Sequence, residues 1–425
     1  MTDEALTLPA RARAKWKSWF GPGLITGASD DDPSGIGTYS QAGAQFGTGM
    51  LWLMAFTFPL MSVVQIITAR IARVTGRGLA ANLSKVLPRW VLVPILVLLF
   101  VANTVNIGAD LAAMGAAAAL LIPAGSAFTA AGFGVVSMLL QIFVPYSRYV
   151  RLLQWLTLSL LAYAAVLLTL DVPWTKVLHD TLLPRIEIDR SFWAMLVGVL
   201  GTTISPYLFF WQSDQEVEEQ RASPDDHPLR AAPREAGRQL HEISRDTVLG
   251  MAVSNSVGFF IMLTAALTLH AHGVHDIDSA AKAAQALRPL AGDWAFGLFA
   301  LGIVGTGLLA IPVLAGSAGY AVAECFAWRY GLERAPASAP RFYGVIAAST
   351  LLGVLFTLLD FNPMKALVAS AVLNGVIAVP VLAAMMRVSA REDVMGEFRI
   401  GRGLRFVGWA TTALMALAAV AMAVV

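Results

Sequence analysis

The chain has 425 residues, 57% of them hydrophobic and only 14% charged, and its mean hydropathy is +0.66. Soluble domains carry about 25% charge, so this composition excludes a water-soluble globule. The net charge of +2 gives no sign of a nucleic-acid partner, and the single cysteine, Cys325, excludes an intrachain disulfide or a cysteine metal site.

The apolar residues fall in blocks long enough to cross a bilayer, which takes about 20 residues in a helix. Such continuous runs exclude a β-barrel. In chain order they predict about eleven membrane helices, at 21–46, 49–72, 90–121, 126–145, 152–170, 191–213, 247–270, 294–328, 343–359, 364–387 and 404–424. The expected fold class is an all-α integral membrane protein. Residues 1–20 form a tail, because Arg11, Arg13, Lys15 and Lys17 lead into the first span with no cleavage-type segment. Residues 21–425 form one transmembrane domain, with five spans in 21–170, five in 191–387 and a last one at 404–424.

The basic residues test that count. With eleven spans, one side of the membrane holds only Lys176, Arg185, Arg190, Lys282, Arg288 and Lys365 of the 30 Lys and Arg. The side shared with the N-terminus holds the rest. Positive loops stay inside, so the tail is expected in the cytoplasm of a multi-pass protein of the cell's inner (plasma) membrane. The longest polar stretch, Ser213 to Asp246, reads as a solvated cytoplasmic loop.

Charged groups inside a membrane are costly and mark function. Asp30, Asp31 and Asp32 stand in the middle of the first span, followed by Pro33, Ser34 and Gly35. Proline removes a backbone donor and clashes with the turn before it, so 27–35 is expected to be unwound. The sixth span has a matching break at Gly201-Thr-Thr-Ile-Ser-Pro-Tyr207. Interrupted helices at corresponding places in two halves point to an inverted-repeat transporter whose substrate binds between the breaks. Asp32 would supply a carboxylate, Ser205 a hydroxyl, and the backbone near Ser29 and Thr202 carbonyl oxygens. Pro206 taken alone also fits an ordinary kink.

The segments Gly21-Pro-Gly-Leu-Ile-Thr-Gly27, Asp32-Pro33 and Gln41-Ala-Gly-Ala-Gln-Phe-Gly47 resemble the first helix of the NRAMP divalent-metal transporters. Ala69-Arg-Ile-Ala-Arg-Val-Thr-Gly-Arg77, Asp110-Leu111, Asp246-Thr247 and Met395-Gly-Glu-Phe398 resemble later parts of the same family. The resemblance covers nearly the whole chain. It implies a LeuT-like 5+5 inverted repeat with spans 1 and 6 broken, and alternating-access import of a divalent metal ion as substrate. No nucleophile elbow, P-loop or His-Glu-x-x-His zinc motif occurs, so no enzyme activity is expected, and no cofactor or obligate protein partner beyond the lipid bilayer is expected either.

The departures from the family pattern matter as much. The family's Asp-Pro-Gly-Asn becomes Asp32-Pro33-Ser34-Gly35, and its Met-Pro-His becomes Ser205-Pro206-Tyr207. A glutamate three residues after the third-helix aspartate becomes Ala113. Thioether ligands favour soft transition metals. An oxygen-only site suits a hard ion that keeps some water, as Mg²⁺ does. The pattern therefore resembles the NRAMP-related magnesium transporters more than the Mn²⁺/Fe²⁺ members, while Mn²⁺ also accepts oxygen ligands. The candidate metal residues are Asp32, Ser29, Gly35, Thr202, Ser205 and Tyr207. Asp31, Asp110 and Asn374 are candidates for proton movement or for supporting the ligands, although Asp110 could simply pair with Asn106. With the matching His and Glu gone, proton coupling is expected to be weak or absent.

Other features weigh less. His270, His272, His275 and Asp276 cluster at the outer end of the seventh span, where they could capture metal or merely be solvated. Asn374 and Gly375 interrupt the tenth span, next to the family's site. Rival functions are a proton-coupled Mn²⁺/Fe²⁺ carrier, a cation-driven amino-acid carrier and a non-transporting scaffold. The acidic run argues against an anionic substrate.

Overall fold

A computed structural model describes residues 22–123, 125–144, 153, 155–223, 226–359 and 361–425. The expected N-terminal tail lies outside them. Among the described residues there are helices and connecting loops but no strand. The first span is two helices, α1 (Pro22–Asp30) and α2 (Pro33–Phe46). Then follow α3 (Trp52–Thr75), α4 (Arg89–Ala118), α5 (Ser126–Phe143) and α6 (Trp155–Thr169). A short helix, α7 (Trp174–Leu182), leads to the broken sixth span, α8 (Arg190–Thr203) and α9 (Pro206–Arg221). The chain continues through α10 (Ala236–Thr268), α11 (Ala295–Cys325), α12 (Pro340–Phe356), α13 (Pro363–Ala390) and α14 (Arg402–Val424).

Eight of these segments are long and apolar enough to span a bilayer, α6 and α12 are shorter apolar helices, and the first span is split. Together they account for the eleven predicted spans. Trp90, Phe128, Leu168, Phe406 and Val424 are each at least 75% exposed, as suits side chains facing lipid. Backbones touch where small residues meet. A Cβ on Gly27 would lie 2.3 Å from the Gly250 carbonyl oxygen, which joins α1 to α10. One on Gly201 would lie 2.0 Å from the Ala371 carbonyl, which joins α8 to α13.

Three expectations need correction. The first break is narrower than 27–35, because α1 stays helical through Asp30 and α2 begins at Pro33. The prolines stand at the first position of a new helix, where a missing N–H costs nothing. Asn374 and Gly375 do not interrupt the tenth span, since α13 is continuous from Pro363 to Ala390. Gly375 instead lets α13 approach α8. Finally, Ser213 to Asp246 is not one solvated loop. α9 runs on to Arg221, α10 begins at Ala236 rather than near 247, and Ser213, Asp214 and Glu216 are buried. Charge density suggested water, but the ends of these helices pack against α3 and α11.

Candidate functional site

Both breaks have one design, a two-residue gap followed by proline. Asp31-Asp32 precede Pro33, and Ile204-Ser205 precede Pro206. Asp32 is extended, with φ −72° and ψ 169°, and its Oδ1 accepts the Gly35 N–H at 2.6 Å. This is an N-cap that satisfies a donor of α2 and fixes the carboxylate at the helix start, where the dipole favours negative charge. Its Oδ2 accepts the Asn106 side-chain amide at 3.0 Å, and the same amide nitrogen donates to Asp110 Oδ2 at 3.0 Å. Asn106 Oδ1 in turn accepts from Asn374 at 3.3 Å. Four helices thus meet at Asp32.

The second break completes the enclosure. A Cβ on Gly35 would lie 3.1 Å from Thr202 Oγ1 and 3.4 Å from Asp32 Oδ1. The room left by the missing family asparagine is therefore partly filled by the Thr202 hydroxyl. Tyr207 is buried in the first turn of α9, directly after the second break. Ser205 donates its hydroxyl to the carbonyls of Gly201, at 2.7 Å, and Thr202, at 3.0 Å. Its oxygen keeps its lone pairs, but the Thr202 carbonyl is shared with this bond. Ser29 donates to the Ile25 carbonyl at 2.9 Å within α1. Asp30 and Asp31 face α10, where the Ser254 hydroxyl donates to Asp30 Oδ2 at 2.6 Å and lies 3.2 Å from Asp31 Oδ1.

Asp30, Asp31, Asp32 and Asp110 are all at most 5% exposed. Among the described residues, no Lys, Arg or His forms an ion pair with any of them. Asp30 Oδ1, Asp110 Oδ1 and Asn374 Oδ1 are buried with no hydrogen-bond partner. Buried acids without counter-charge are expensive, and either a proton or a bound cation would relieve that cost. Among the described residues, no three His, Cys, Asp or Glu side chains are grouped to hold a metal. Asp32 would act with hydroxyl, amide and backbone oxygens.

Beyond the C-terminal end of α10 the histidine cluster divides. His270 and His275 both bond the Ala44 carbonyl, at 2.8 and 3.3 Å. His272 bonds its own helix at Thr268, and Asp276 lies 3.6 Å from Lys365. The sequence reading treats Asn106 only as a neighbour of Asp110. Its spacing of four residues, which stacks the two side chains on one helical face, was the available signal.

A family model described as Nramp, natural resistance-associated macrophage protein-like, matches residues 23–425. The chain belongs to the Nramp family. Among its Nramp relatives, the divalent metal cation transporter MntH of Acidiphilium cryptum is 28% identical over 95% of this chain and 90% of that one. The MntH proteins of Aeromonas hydrophila and Mycobacterium tuberculosis are each 26% identical, over 87% and 94% of this chain and 90% of each relative. Among solved structures, an Eremococcus coleocola manganese transporter superposes with a TM-score of 0.75 at 14% identity, covering 97% of this chain and 87% of that one. Mhp1, a nucleobase-cation-symport-1 family transporter, superposes with 0.57 at 13% identity, covering 95% of this chain and 92% of it. At these identities the likeness concerns the fold, which the Nramp chain shares with both.

Proposed function

We propose that this Nramp protein carries divalent metal cations through a membrane by alternating access, with the ion held between the two breaks by Asp32. The observation that carries this is the group of buried aspartates with no basic partner at the meeting of α1, α2, α8 and α9. Thr202, Ser205, Tyr207 and the backbone at Ser29 and Gly35 supply neutral oxygens around it. One helix bundle rocks against the other, as inverted-repeat carriers do. Inward movement follows an inside-negative potential, worth about 4.6 kcal/mol for two charges at 100 mV. The cell's inner membrane and a cytoplasmic N-terminus follow from the distribution of basic residues.

Mn²⁺ is the first ion to try, since the MntH relatives are named divalent metal cation transporters and the solved neighbour is a manganese transporter. Mg²⁺ is the second, on one observation: Ser205 stands where the family's thioether would, so every candidate ligand is an oxygen. Uptake into proteoliposomes of purified protein, with Mn²⁺ and Mg²⁺ in parallel and Asp32→Ala as control, tests both. Uptake of either ion that Asp32→Ala abolishes supports the transport reading. Mn²⁺ uptake at far lower concentration than Mg²⁺ selects the first ion, and comparable concentrations select the oxygen-site alternative. No uptake of either ion overturns the proposal.

A further inference from the structure

A second set of acids is buried away from the breaks, at the end of the molecule that carries the basic loops. Asp214, two turns into α9, is fully buried, yet neither of its carboxyl oxygens has a hydrogen-bond donor. Glu324, at the end of α11, converges on the same point. A Cβ on Gly78 would lie 2.2 Å from Asp214 Oδ1 and 2.4 Å from Glu324 Oε1. The two carboxyls therefore adjoin across the bare flank of one glycine.

Their surroundings differ sharply. Glu324 Oε1 accepts the Gly78 N–H at 2.8 Å and the Tyr330 hydroxyl at 3.0 Å, and Oε2 accepts the Ala81 N–H at 3.0 Å. Three donors suit a carboxylate. Asp214 has none, which suits a neutral acid whose one O–H needs an acceptor. Two ionised carboxyls in contact and out of water repel strongly, and a single shared proton removes the conflict. A divalent ion fits less well, because it asks for about six oxygens and Glu324 is already engaged. The other charged groups facing the pair are Glu218 and Arg221, both on α9. Glu218 accepts the Tyr320 hydroxyl at 3.0 Å, and Arg221 donates to the Tyr330 hydroxyl at 3.0 Å. The connection after α3 offers the Gly78 and Ala81 N–H groups, and its Arg77 is exposed.

We infer that Asp214 and Glu324 share one proton and form a titratable latch that ties the half-helix α9 to α11 and to the connection after α3. α9 starts at Ser205-Pro206-Tyr207, beside the candidate ion site, so its movement would strain the latch. Opening admits water, Asp214 gives its proton to that water, and the two carboxylates then repel. Closing takes a proton back from the same side. No proton crosses the membrane, so the latch senses pH without coupling transport to a proton gradient. The gating consequence rests on the transport reading, whereas the shared proton does not.

Infrared spectroscopy of the protein in lipid vesicles tests the proton directly and needs no transport. The wild type should show a protonated-carboxyl C=O band that shifts in D₂O, and Asp214→Asn should lose intensity there. Glu324→Gln, which keeps an acceptor for the Asp214 O–H, should retain the band at a shifted position. An Asp214→Asn spectrum identical to wild type in this region overturns the inference. So does loss, on addition of MnCl₂ or MgCl₂ at constant pH, of the component of the band that Asp214→Asn removes, which would make the pair a metal site. In proteoliposomes, wild-type uptake should rise several-fold as the pH on the Asp214 side rises. Asp214→Asn, with an amide that keeps donating to Glu324, should be slow with a flat pH profile. A profile as steep as that of wild type overturns the gating step.

Discussion

Asn106 ties two acids together with a single amide. Both of its N–H groups are used, on Asp32 and Asp110, and its oxygen takes Asn374. An amide has no further donors to give. Asn106→Leu would leave two buried carboxylates without this donor, at about 1–3 kcal/mol for each orphaned group. Metal uptake by Asn106→Leu is expected to fall at least roughly tenfold, the equivalent of about 1.4 kcal/mol, with a lower melting temperature in detergent. Uptake within twofold of wild type would mean that Asp32 does not need this contact. Ser205 carries a second prediction at this scale. Ser205→Met returns a soft thioether to the break, so the Mn²⁺-to-Mg²⁺ uptake ratio should rise. An unchanged ratio would show that position 205 does not set ion preference.

The broken helices depend on a tightly packed surround. α1 and α10 approach through Gly27 and Gly250, where the carbonyls of each helix's partner leave no room for a side chain. Gly250→Leu forces these helices apart, and overpacking of this kind costs about 1–3 kcal/mol or more. Because Asp30 and Asp31 meet Ser254 on α10, the same change should also disturb the first break. The expected outcome is a melting temperature several degrees lower and impaired uptake. Gly132 on α5 is the control, with nothing within 4 Å of a built Cβ. Gly132→Ala should be neutral or gain up to about 1 kcal/mol from helix propensity. Equal melting temperatures for the Gly250 and Gly132 variants would remove the packing argument.

Across the whole molecule, the ion pairs among the described residues gather at helix ends and in the connections, and Asp180 on α7 is the acid of two of them. Its side chain is 1% exposed, accepts the Thr48 hydroxyl at 2.6 Å and lies 3.1 Å from both His179 and Arg185. Burial pushes the Asp180 carboxyl up, but Thr48, His179 and Arg185, with Lys176 nearby, outweigh it and hold the carboxyl below the usual carboxylate range. A depressed carboxyl stabilises the folded protein above its unfolded value of about 4, and that contribution is lost as pH falls through the lower folded value. Wild-type melting in detergent should therefore lose this contribution only below about pH 4. Asp180→Asn should melt lower at neutral pH and lose less of its stability in that acid window. Parallel curves for the two proteins would rule out this role for Asp180.

Eleven apolar segments, the side on which basic residues gather, and the two prolines beside Asp32 and Ser205 can all be read along the chain. Each depends on local composition or on the fixed geometry of proline, which needs no knowledge of neighbours. The width of the breaks could not be read, because capping by Asp32 decides where α2 begins. The joining of Asp32, Asp110 and Asn374 through Asn106 brings residues from three separate spans together. The burial of Asp214 and Glu324 is the clearest case. Along the sequence Asp214 opens a stretch of charges that looks solvated, and only the packing of α9 against α11 and Gly78 removes it from water. Charge patterns report what a segment could meet, whereas long-range packing decides which of those groups leave water and which of them adjoin.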